Sequence, residues 1–384
     1  MAAAAYDASW PGGEPRGHVF VALSGGVDSA VAALLLTRAG VQVSALFAKN
    51  WEEDDRDGHC AAAADLEMAS RVCDRLGIAL HTVNLSADYW ERVFERFLAE
   101  HRAGRTPNPD VLCNREVKFD PLVEHARDLG ADQVATGHYA RLGPGTTPGS
   151  HRLLVSADAA KDQTYFLHRL DQARLRHALF PVGHLQKSQV RRLARDAGLA
   201  PSERPDSTGI CFIGEQPFRA FLARFLPPEP GPIRDLEDRE IGEHPGLAFF
   251  TIGQRRGLGI GGRAGSSGNP WYVVAKEQAT NVLRVTQGAD HPALHTDRLT
   301  ASDPSWVGDT PPSLPLQCTA RIRHRQALQP CTVVASAGDA LTVRFERPQW
   351  AVAPGQSVAF YHDGECLGGA VIDVAGSAVD GPAR

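Results

Sequence analysis

The chain has 384 residues, of which 43% are hydrophobic and 22% charged, and its formal net charge is −5. This composition is typical of a globular protein with two or three domains, and no apolar run reaches the roughly 18 residues that span a bilayer. The acidic balance excludes a global electrostatic footprint for nucleic acid, so any RNA binding must depend on local basic patches. Residues 1–17 have no apolar core, which predicts a flexible N-terminus that is neither a secretory signal nor a mitochondrial presequence.

The first element in chain order is a strand that runs straight into a glycine turn. Residues 19–23 are apolar, residues 24–29 read Ser-Gly-Gly-Val-Asp-Ser, and an alanine- and leucine-rich helical pattern follows as far as Gly40. Glycines let a backbone approach an anion closely, and the unpaired N–H groups at a helix start point at it. The lysine of the usual P-loop is missing, so the pattern predicts a phosphate-binding loop that does not cleave the γ-phosphate. The alternative is a strand–helix turn in which the glycines only permit the backbone conformation and bind no phosphate.

Strands and helices then alternate through the first half of the chain. Strands are predicted over 41–47, 79–85 and 133–136, and helices over 61–76, 88–101, 119–129, 171–179 and 188–198. This alternation predicts an α/β domain built on a doubly wound parallel sheet, and such sheets bind ligands at the carboxyl ends of their strands. The glycine turn would lie at that edge.

A proline-rich break at 226–232 ends the alternation and marks a domain boundary. Strand-like runs follow at 247–251, 271–275, 282–286, 319–323, 332–335, 341–345 and 357–361. Short strands separated by glycine and proline are typical of small β-modules and barrels. We therefore expect a flexible segment over 1–17, the α/β domain over 18–226, a small β-rich domain over 227–297 and a C-terminal β-barrel over 298–384.

The densest basic run of the β-rich half is Arg321-Ile322-Arg323-His324-Arg325. If this run is a strand, alternation places its three arginines on one face and Ile322 on the other. The apolar face of a small barrel points inward, so the arginines are predicted to face solvent and to offer a surface for RNA.

Seven cysteines without a C-x-x-C pair fit a reducing cytoplasm rather than a disulfide framework. Cys113 follows Asp110 by three residues, behind two prolines, which predicts a rigid turn presenting both at a helix start. There a helix N-terminus would lower the thiol pKa and the carboxylate could relay protons. Cys211 lies in another turn-rich segment, and for these two cysteines the residues alone leave chemistry and core packing equally open. The others are expected in the core: Cys60, Cys73, Cys318, Cys331 and Cys366.

Taken together, the ordered motifs resemble those of the bacterial tRNA 2-thiouridylase family, a branch of the PP-loop ATP pyrophosphatases. The motifs are residues 24–29, 49–51, 108–113, 135–139, 161–163, 206–211, 253–262 and 354–357. The resemblance spans nearly the whole chain. It implies ATP-dependent 2-thiolation of the wobble uridine, position 34, of tRNA, with ATP split into AMP and pyrophosphate.

The resemblance also implies residue roles. ATP would be held by Ala22, Leu23, Ser24, Gly25, Gly26, Val27, Asp28 and Ser29, and by the backbone near Ala48, where the family usually has methionine, and Gly137. Asn108, Pro109 and Asp110 would hold the target base, with Asp110 as acid and base. Cys211 would carry sulfur as a persulfide, and Cys113 would attack it. tRNA contacts would come from His138, Lys161, Asp162, Gln163, Arg323, His324 (often tyrosine in the family) and Gln356.

The same resemblance implies ATP with Mg²⁺ as co-substrate, and neither a permanently bound cofactor nor a metal site. The implied partners are tRNAs for lysine, glutamate and glutamine and a cysteine desulfurase or sulfur-relay protein as donor, in the cytoplasm and away from membranes. The chemistry suits these residue types. The uridine C2 oxygen leaves poorly as hydroxide but well as AMP, and two thiols can deliver sulfur by ending as a disulfide.

Three other interpretations remain open at this point. A relative that amidates an adenylated carbonyl would need a glutaminase site, and no separate domain for one is evident. An iron–sulfur thiolase could use Cys113, Cys211 and Asp110 as cluster ligands, although paired C-x-x-C ligands are absent. A non-enzymatic RNA-binding module would depend on the basic runs 321–325 and 187–195, the second of which has the spacing of a solvated helix face.

Overall fold

The computed structural model of the protein describes residues 15–52, 62–204, 217–260, 268–336 and 338–376. Cys211 with the rest of its motif, Cys60 and most of the expected flexible N-terminus lie outside these ranges. Predictions about them stay predictions. No helix within the described ranges is long and apolar enough to cross a membrane.

The N-terminal half contains a parallel sheet and the helices that cover it. Its strands are β1 His18–Ala22, β2 Gln42–Lys49, β3 Ala79–Asn84, β4 Gln133–Ala135, β5 Ala140–Pro144, β6 His151–Val155 and β7 Ala178–Leu179. Its helices are α1 Val27–Arg38, α2 Ala63–Leu76, α3 Ser86–Tyr89, α4 Glu95–Arg102, α5 Pro109–Cys113, α6 Pro121–Asp128, α7 Thr164–Leu167, α8 Gln172–Leu175, α9 Lys187–Asp196 and α10 Phe218–Leu222. π-helical turns cover Trp90–Phe94 and Asn114–Lys118, and a 3₁₀ turn covers Ala200–Glu203.

Five of these strands form the sheet in the order β3-β2-β1-β4-β7, all parallel. The central strand β1 is apolar on both faces, as a strand covered on both sides must be. Val19 and Val21 pack with α1, α2 and α9, whereas Phe20 points to the opposite face and packs with Phe94 and Phe97. Helices therefore cover both faces, and the predicted doubly wound parallel sheet is confirmed.

Two predicted elements are wrong. The helix expected over 171–179 is helical only over Gln172–Leu175, and Ala178–Leu179 is the buried edge strand β7, paired with β4. The strand expected over 247–251 is a 3₁₀ turn, Leu247–Phe249. Both segments are short and apolar, and periodicity cannot separate a short buried strand from a helical turn, so tertiary packing decides.

A four-stranded sheet follows, built from β8 Gly231–Arg234, β9 Glu240–His244, β10 Trp271–Glu277 and β11 Val282–Gln287. Its order is β10-β11-β8-β9. A 3₁₀ turn at Pro292–Leu294 leads to the barrel strands β12 His295–Trp306, β13 Leu316–Arg321, β14 Gln329–Ala335, β15 Leu341–Trp350, β16 Ser357–His362 and β17 Glu365–Ala375.

The six strands β12–β17 close into the expected C-terminal barrel, because β12 pairs with both β15 and β17. Apolar side chains such as Val333, Val343, Phe360 and Ile372 fill its interior. The barrel sheet also includes two strands from the N-terminal half, since β6 pairs with β17 and β5 pairs with β6. Sequence order alone did not predict this hairpin, which ties the parallel-sheet half to the barrel.

The strand expected over residues 319–323 is confirmed only as far as Arg321, and its outward arginine face is wrong. β13 ends at Arg321, and the chain then turns, with Arg325 at φ +67°. Arg321 points inward and is 9% exposed, because its guanidinium pairs with the buried carboxylate of Asp162 at 3.3 Å. Only Arg325 of the three arginines is exposed.

Candidate functional site

The glycine turn lies at the carboxyl end of β1, where the chain order in the sheet reverses between β1 and β4. Ligands of open α/β sheets bind at this switch point. Gly26 occupies the N-cap of α1 and Gly25 has φ +72°, a conformation that favours glycine. The Ser24 and Ser29 hydroxyls lie 3.3 Å apart, and Ser29 Oγ donates to the Gly26 carbonyl at 3.1 Å. Two hydroxyls and a helix N-terminus thus face the same turn, as a phosphate site requires.

The loop after β4 packs directly against this turn. A Cβ atom added to Gly137 would lie 2.6 Å from the Ser29 backbone nitrogen, so only glycine fits there. A Cβ on Gly25 would lie 2.7 Å from the Asp65 carbonyl oxygen. Ala48, the other predicted ATP contact, is half-buried near the carboxyl end of the neighbouring strand β2. The predicted ATP residues are therefore gathered at one edge of the sheet.

Lys187, which sequence reasoning left in a solvated basic run, reaches the glycine turn. Its ammonium lies 2.7 and 2.8 Å from the two carboxylate oxygens of Asp28, and its side chain is only 11% exposed. The Tyr139 hydroxyl donates to the same carboxylate at 2.8 Å. Lys187 is the first residue of α9, which packs against α1. The signal in the sequence that could have identified Lys187 was its position at the start of a helix, since helices of such a domain begin near the carboxyl edge of the sheet.

Arg204 is a second cation that sequence reasoning missed. Its guanidinium donates to the Gly25 carbonyl at 3.2 Å and pairs with Asp65 at 2.6 Å. Arg191 of α9 in turn donates to the carbonyl oxygens of Ser202 and Arg204. These contacts fasten the backbone at 202–204 to the glycine turn.

The predicted turn that carries Asp110 and Cys113 is a short helix, α5, which we call the cysteine helix. The Asn108 side chain accepts a hydrogen bond from Val111 N, and Pro109 occupies the first helical position, where its missing N–H costs nothing. Asp110 lies in the first turn as expected. Cys113 does not lie at the helix start: it is the last residue of α5 and is 1% exposed within the aromatic core.

The segment Gly137-His138 lies beside both the glycine turn and Phe119, a residue of the aromatic core that also contains Cys113. Gly137 touches the glycine turn, and the His138 ring lies 6.0 Å from the ring of Phe119, which follows the cysteine helix. Burial holds the pKa of His138 well below its usual value, and the nearby Lys118 acts in the same direction. His138 is therefore neutral at pH 7, with its Nδ1 2.8 Å from the Thr136 hydroxyl.

No group of three histidine, cysteine, aspartate or glutamate side chains in the described ranges could hold a metal ion. The iron–sulfur interpretation needs Cys211 as a cluster ligand, and Cys211 lies outside those ranges.

Family models and named relatives match nearly the whole length of the chain. Family models match residues 17–215 (tRNA methyl transferase HUP domain), 219–287 (tRNA methyl transferase PRC-barrel domain) and 296–372 (aminomethyltransferase beta-barrel domain). Relatives named tRNA-specific 2-thiouridylase MnmA are 54% identical in Methylococcus capsulatus and 53% identical in Escherichia coli. These alignments cover 93% and 94% of this chain and 96% and 98% of those relatives. The chain belongs to the tRNA-specific 2-thiouridylase family.

Members of the tRNA-specific 2-thiouridylase family are tRNA sulfurtransferases, so the amidating and non-enzymatic interpretations are set aside. Among solved structures, a 4-thiouridine synthetase in complex with RNA and ATP aligns with a TM-score of 0.34. It is 18% identical over 52% of this chain and 45% of that one, which is too distant to bear on function.

Five of the residues that the 2-thiouridylase resemblance assigns to tRNA, 161–163 and 323–324, come from two segments that the fold brings together. Asp162 is 3% exposed and pairs with Arg321 of the barrel. His324 Nε2 lies 3.2 Å from the Asp162 carbonyl oxygen, and the His324 ring lies 4.5 Å from that of Phe166. Residues 161–163 and 323–324 therefore form one surface across the junction between the parallel-sheet half and the barrel.

Several of the predicted tRNA residues also bond within the protein. Gln163 Oε1 accepts from Tyr139 N at 2.9 Å. Arg323 stacks on Trp350, 4.9 Å from the ring centroid, and donates to the Ala351 carbonyl. The Gln356 amide donates to the backbone of the segment that leads into α5. Their contacts with tRNA stay predictions.

Proposed function

We propose that this protein catalyses the ATP-dependent 2-thiolation of the wobble uridine of tRNA. One observation carries the proposal: the Gly137-His138 segment lies beside both the glycine turn and Phe119, a residue of the aromatic core that also contains Cys113. A phosphate site connected through one short segment to the core that holds a thiol suits a reaction that first activates an oxygen and then replaces it with sulfur. Family membership supports the same assignment.

The glycine turn is proposed to hold the ATP phosphates through the N–H groups at the start of α1. Lys187 supplies the positive charge that a P-loop lysine would provide, although it enters from a different helix. Asp28 offers carboxylate oxygens of the kind that Mg²⁺ prefers, so it is the residue expected to meet the metal that arrives with ATP.

In the proposed first step the uridine C2 oxygen attacks the α-phosphorus of ATP and pyrophosphate leaves. In the second, the terminal sulfur of a Cys211 persulfide bonds to C2 and AMP leaves. Cys113, as thiolate, attacks the Cys211 sulfur, so that the sulfur on C2 is released as the thione and a Cys113–Cys211 disulfide forms. An external thiol must reduce this disulfide before the next turnover. Asp110 is proposed to exchange protons with the base.

The proposed acceptors are tRNAs for lysine, glutamate and glutamine, and the proposed sulfur donor is a cysteine desulfurase or a sulfur-relay protein. The proposed site of action is the cytoplasm. The exposed Arg325 beside His324 gives the acidic chain a local cation for the RNA backbone.

Mass spectrometry of tRNA nucleosides after incubation with ATP, a persulfide donor and the protein tests the proposal. We expect 2-thiouridine together with AMP and pyrophosphate, and the release of AMP and pyrophosphate should depend on tRNA. Cys113→Ser and Cys211→Ser should abolish the product. Cys318→Ser is the matched control, since Cys318 lies in a barrel strand next to Cys331, and it should retain activity. Release of ADP and phosphate, or full activity of Cys211→Ser, would contradict the mechanism.

A further inference from the structure

The segment Arg105–Asn108, which leads into the cysteine helix, bonds to the barrel as well as to Glu100 of its own half of the protein. Thr106 N donates to the Pro354 carbonyl at 2.7 Å. The amide nitrogen of Gln356 donates to the carbonyl oxygens of Thr106 at 2.7 Å and Pro107 at 3.3 Å. Three hydrogen bonds thus connect Thr106 and Pro107 of this segment to the loop between β15 and β16.

That barrel loop is itself rigidly placed. Gly355 N donates to the Ile372 carbonyl, and Ile372 N donates to the Gln356 carbonyl, each at 2.8 Å. Gly355 has φ +90°, and a Cβ there would lie 2.8 Å from Thr106 N, so the two backbones are in direct contact. Arg105 extends the junction, because its guanidinium donates to the Ile372 carbonyl at 3.1 Å and pairs with Asp373 at 3.2 Å.

A second path reaches Asn108, the residue proposed to meet the target base. The buried Tyr165 hydroxyl donates to the Ser357 carbonyl of the barrel at 3.0 Å. Burial raises the pKa of Tyr165, and the Asn108 side chain acts in the opposite direction, so Asn108 lies beside this hydroxyl. Barrel residues 354–357 therefore bond Thr106 and Pro107 directly, and they bond the tyrosine that neighbours Asn108.

From these contacts we infer that Gln356 is a positioning residue for the sulfur-transfer reaction. It holds the segment that leads into α5, the helix that carries Asp110 and Cys113, so the barrel acts on the chemistry as well as on any bound tRNA. The inference deepens the proposed function and rests on it. Displacements of about 1 Å at a reacting group can cost on the order of 100-fold in rate, so loss of two bonds to this segment should be visible in catalysis.

The test compares Gln356→Met, which keeps the side-chain volume and removes the donor, with Gln329→Met. Gln329 is another half-buried barrel glutamine, and its amide bonds the Ala327 carbonyl, far in sequence from the cysteine segment. Three quantities are measured for each: the tRNA dissociation constant, the single-turnover thiolation rate at saturating tRNA and ATP, and the rate at which iodoacetamide alkylates Cys113 in the free protein. Circular dichroism confirms folding.

For Gln356→Met we expect thiolation about 10-fold slower or more, Cys113 alkylation faster, and a tRNA dissociation constant within about 2-fold of wild type. Gln329→Met should match wild type in all three. Weaker tRNA binding with unchanged saturated rate and alkylation would overturn the inference and leave Gln356 as a tRNA contact only. Unchanged values throughout would overturn it as well. If wild type itself does not thiolate, the proposed function fails, while the alkylation rate still reports whether Gln356 positions the segment.

Discussion

At the scale of single residues, the Asp28–Lys187 pair distinguishes this phosphate loop from a P-loop. A P-loop carries its lysine within the loop, whereas here the lysine opens a helix about 160 residues later and still reaches the loop carboxylate at 2.7 Å. An ammonium held this way is fixed before ATP arrives. Preorganised charge of this kind stabilises the developing negative charge on phosphate oxygens without reorganisation during the reaction.

We predict that Lys187→Ala lowers tRNA-dependent AMP formation by about 100-fold or more, because it removes the ammonium that is bonded to both carboxylate oxygens of Asp28. Steady-state release of AMP, measured with labelled ATP, gives the rate. Arg192→Ala is the control, since Arg192 is exposed on the same helix, and it should keep the wild-type rate. Equal rates for Lys187→Ala and wild type would remove Lys187 from the ATP site.

At the scale of elements, the end of β13 shows how one buried ion pair overrides a local pattern. Alternation predicted an outward face for Arg321, Arg323 and Arg325, but Asp162 lies inside the junction and needs a partner there. Arg321 supplies it and also stacks on the Tyr361 ring, 4.8 Å from its centroid. The strand ends at that point, and only Arg325 reaches solvent fully.

Arg321→Ala and Arg325→Ala should therefore affect different properties: the first should lower stability and the second should weaken tRNA binding. Arg321→Ala removes the cation paired with the buried Asp162 carboxylate and leaves it only its hydrogen bonds from Ser156 and Thr164, so we expect the free energy of unfolding to fall by about 3 kcal/mol. Arg325→Ala should change stability by less than about 0.5 kcal/mol, yet weaken tRNA binding and reduce its salt slope by about one unit. Urea unfolding and tRNA titrations at several salt concentrations measure both. A stable Arg321→Ala variant with weakened tRNA binding would instead support the prediction that Arg321 faces solvent and contacts tRNA.

At the scale of the whole molecule, two buried histidines lie where the parallel-sheet half meets the other two parts. His101, in the last turn of α4, donates from Nδ1 to the Ala248 carbonyl at 3.0 Å. His168 donates to the Tyr165 carbonyl at 2.7 Å and packs against Gly369 of the barrel, where a Cβ would lie 2.4 Å from its ring. Burial lowers the pKa of each to about 4, so both are neutral in the folded protein at pH 7.

Because the folded pKa of each histidine lies below the unfolded value of about 6.5, the unfolded chain binds more protons as the pH falls. Stability is therefore lost from about pH 6.5 downward, and the loss levels off near pH 4. By pH 5 we expect each histidine to lower the free energy of unfolding by about 2 kcal/mol relative to pH 7. His101→Gln, which keeps a donor for Ala248, should reduce the loss of unfolding free energy between pH 7 and pH 5 by about 2 kcal/mol in urea unfolding. An unaltered pH dependence in that variant would show that His101 does not contribute.

Much of this protein is determined by local sequence. The strand, the Ser24–Ser29 turn and α1 follow from an apolar run, paired glycines and a helical pattern, and each of these signals acts within a few residues. The same locality explains why Asn108 and Pro109 start a helix where expected. The ordered motifs also placed the chain in its family, because their combination over the whole length is far more specific than any one of them.

Tertiary structure alone decided the contacts between distant segments. Lys187 meets Asp28, the hairpin β5–β6 joins the barrel, Arg321 turns inward to Asp162, and Gln356 holds the backbone before Cys113. None of these has a local signature, since a lysine or glutamine reads the same in sequence whether it faces solvent or a partner 150 residues away. Periodicity fixes which face of an element is apolar, but the partner of a polar side chain depends on how the elements pack, because burial makes an unpaired polar group costly and leaves few positions that satisfy it.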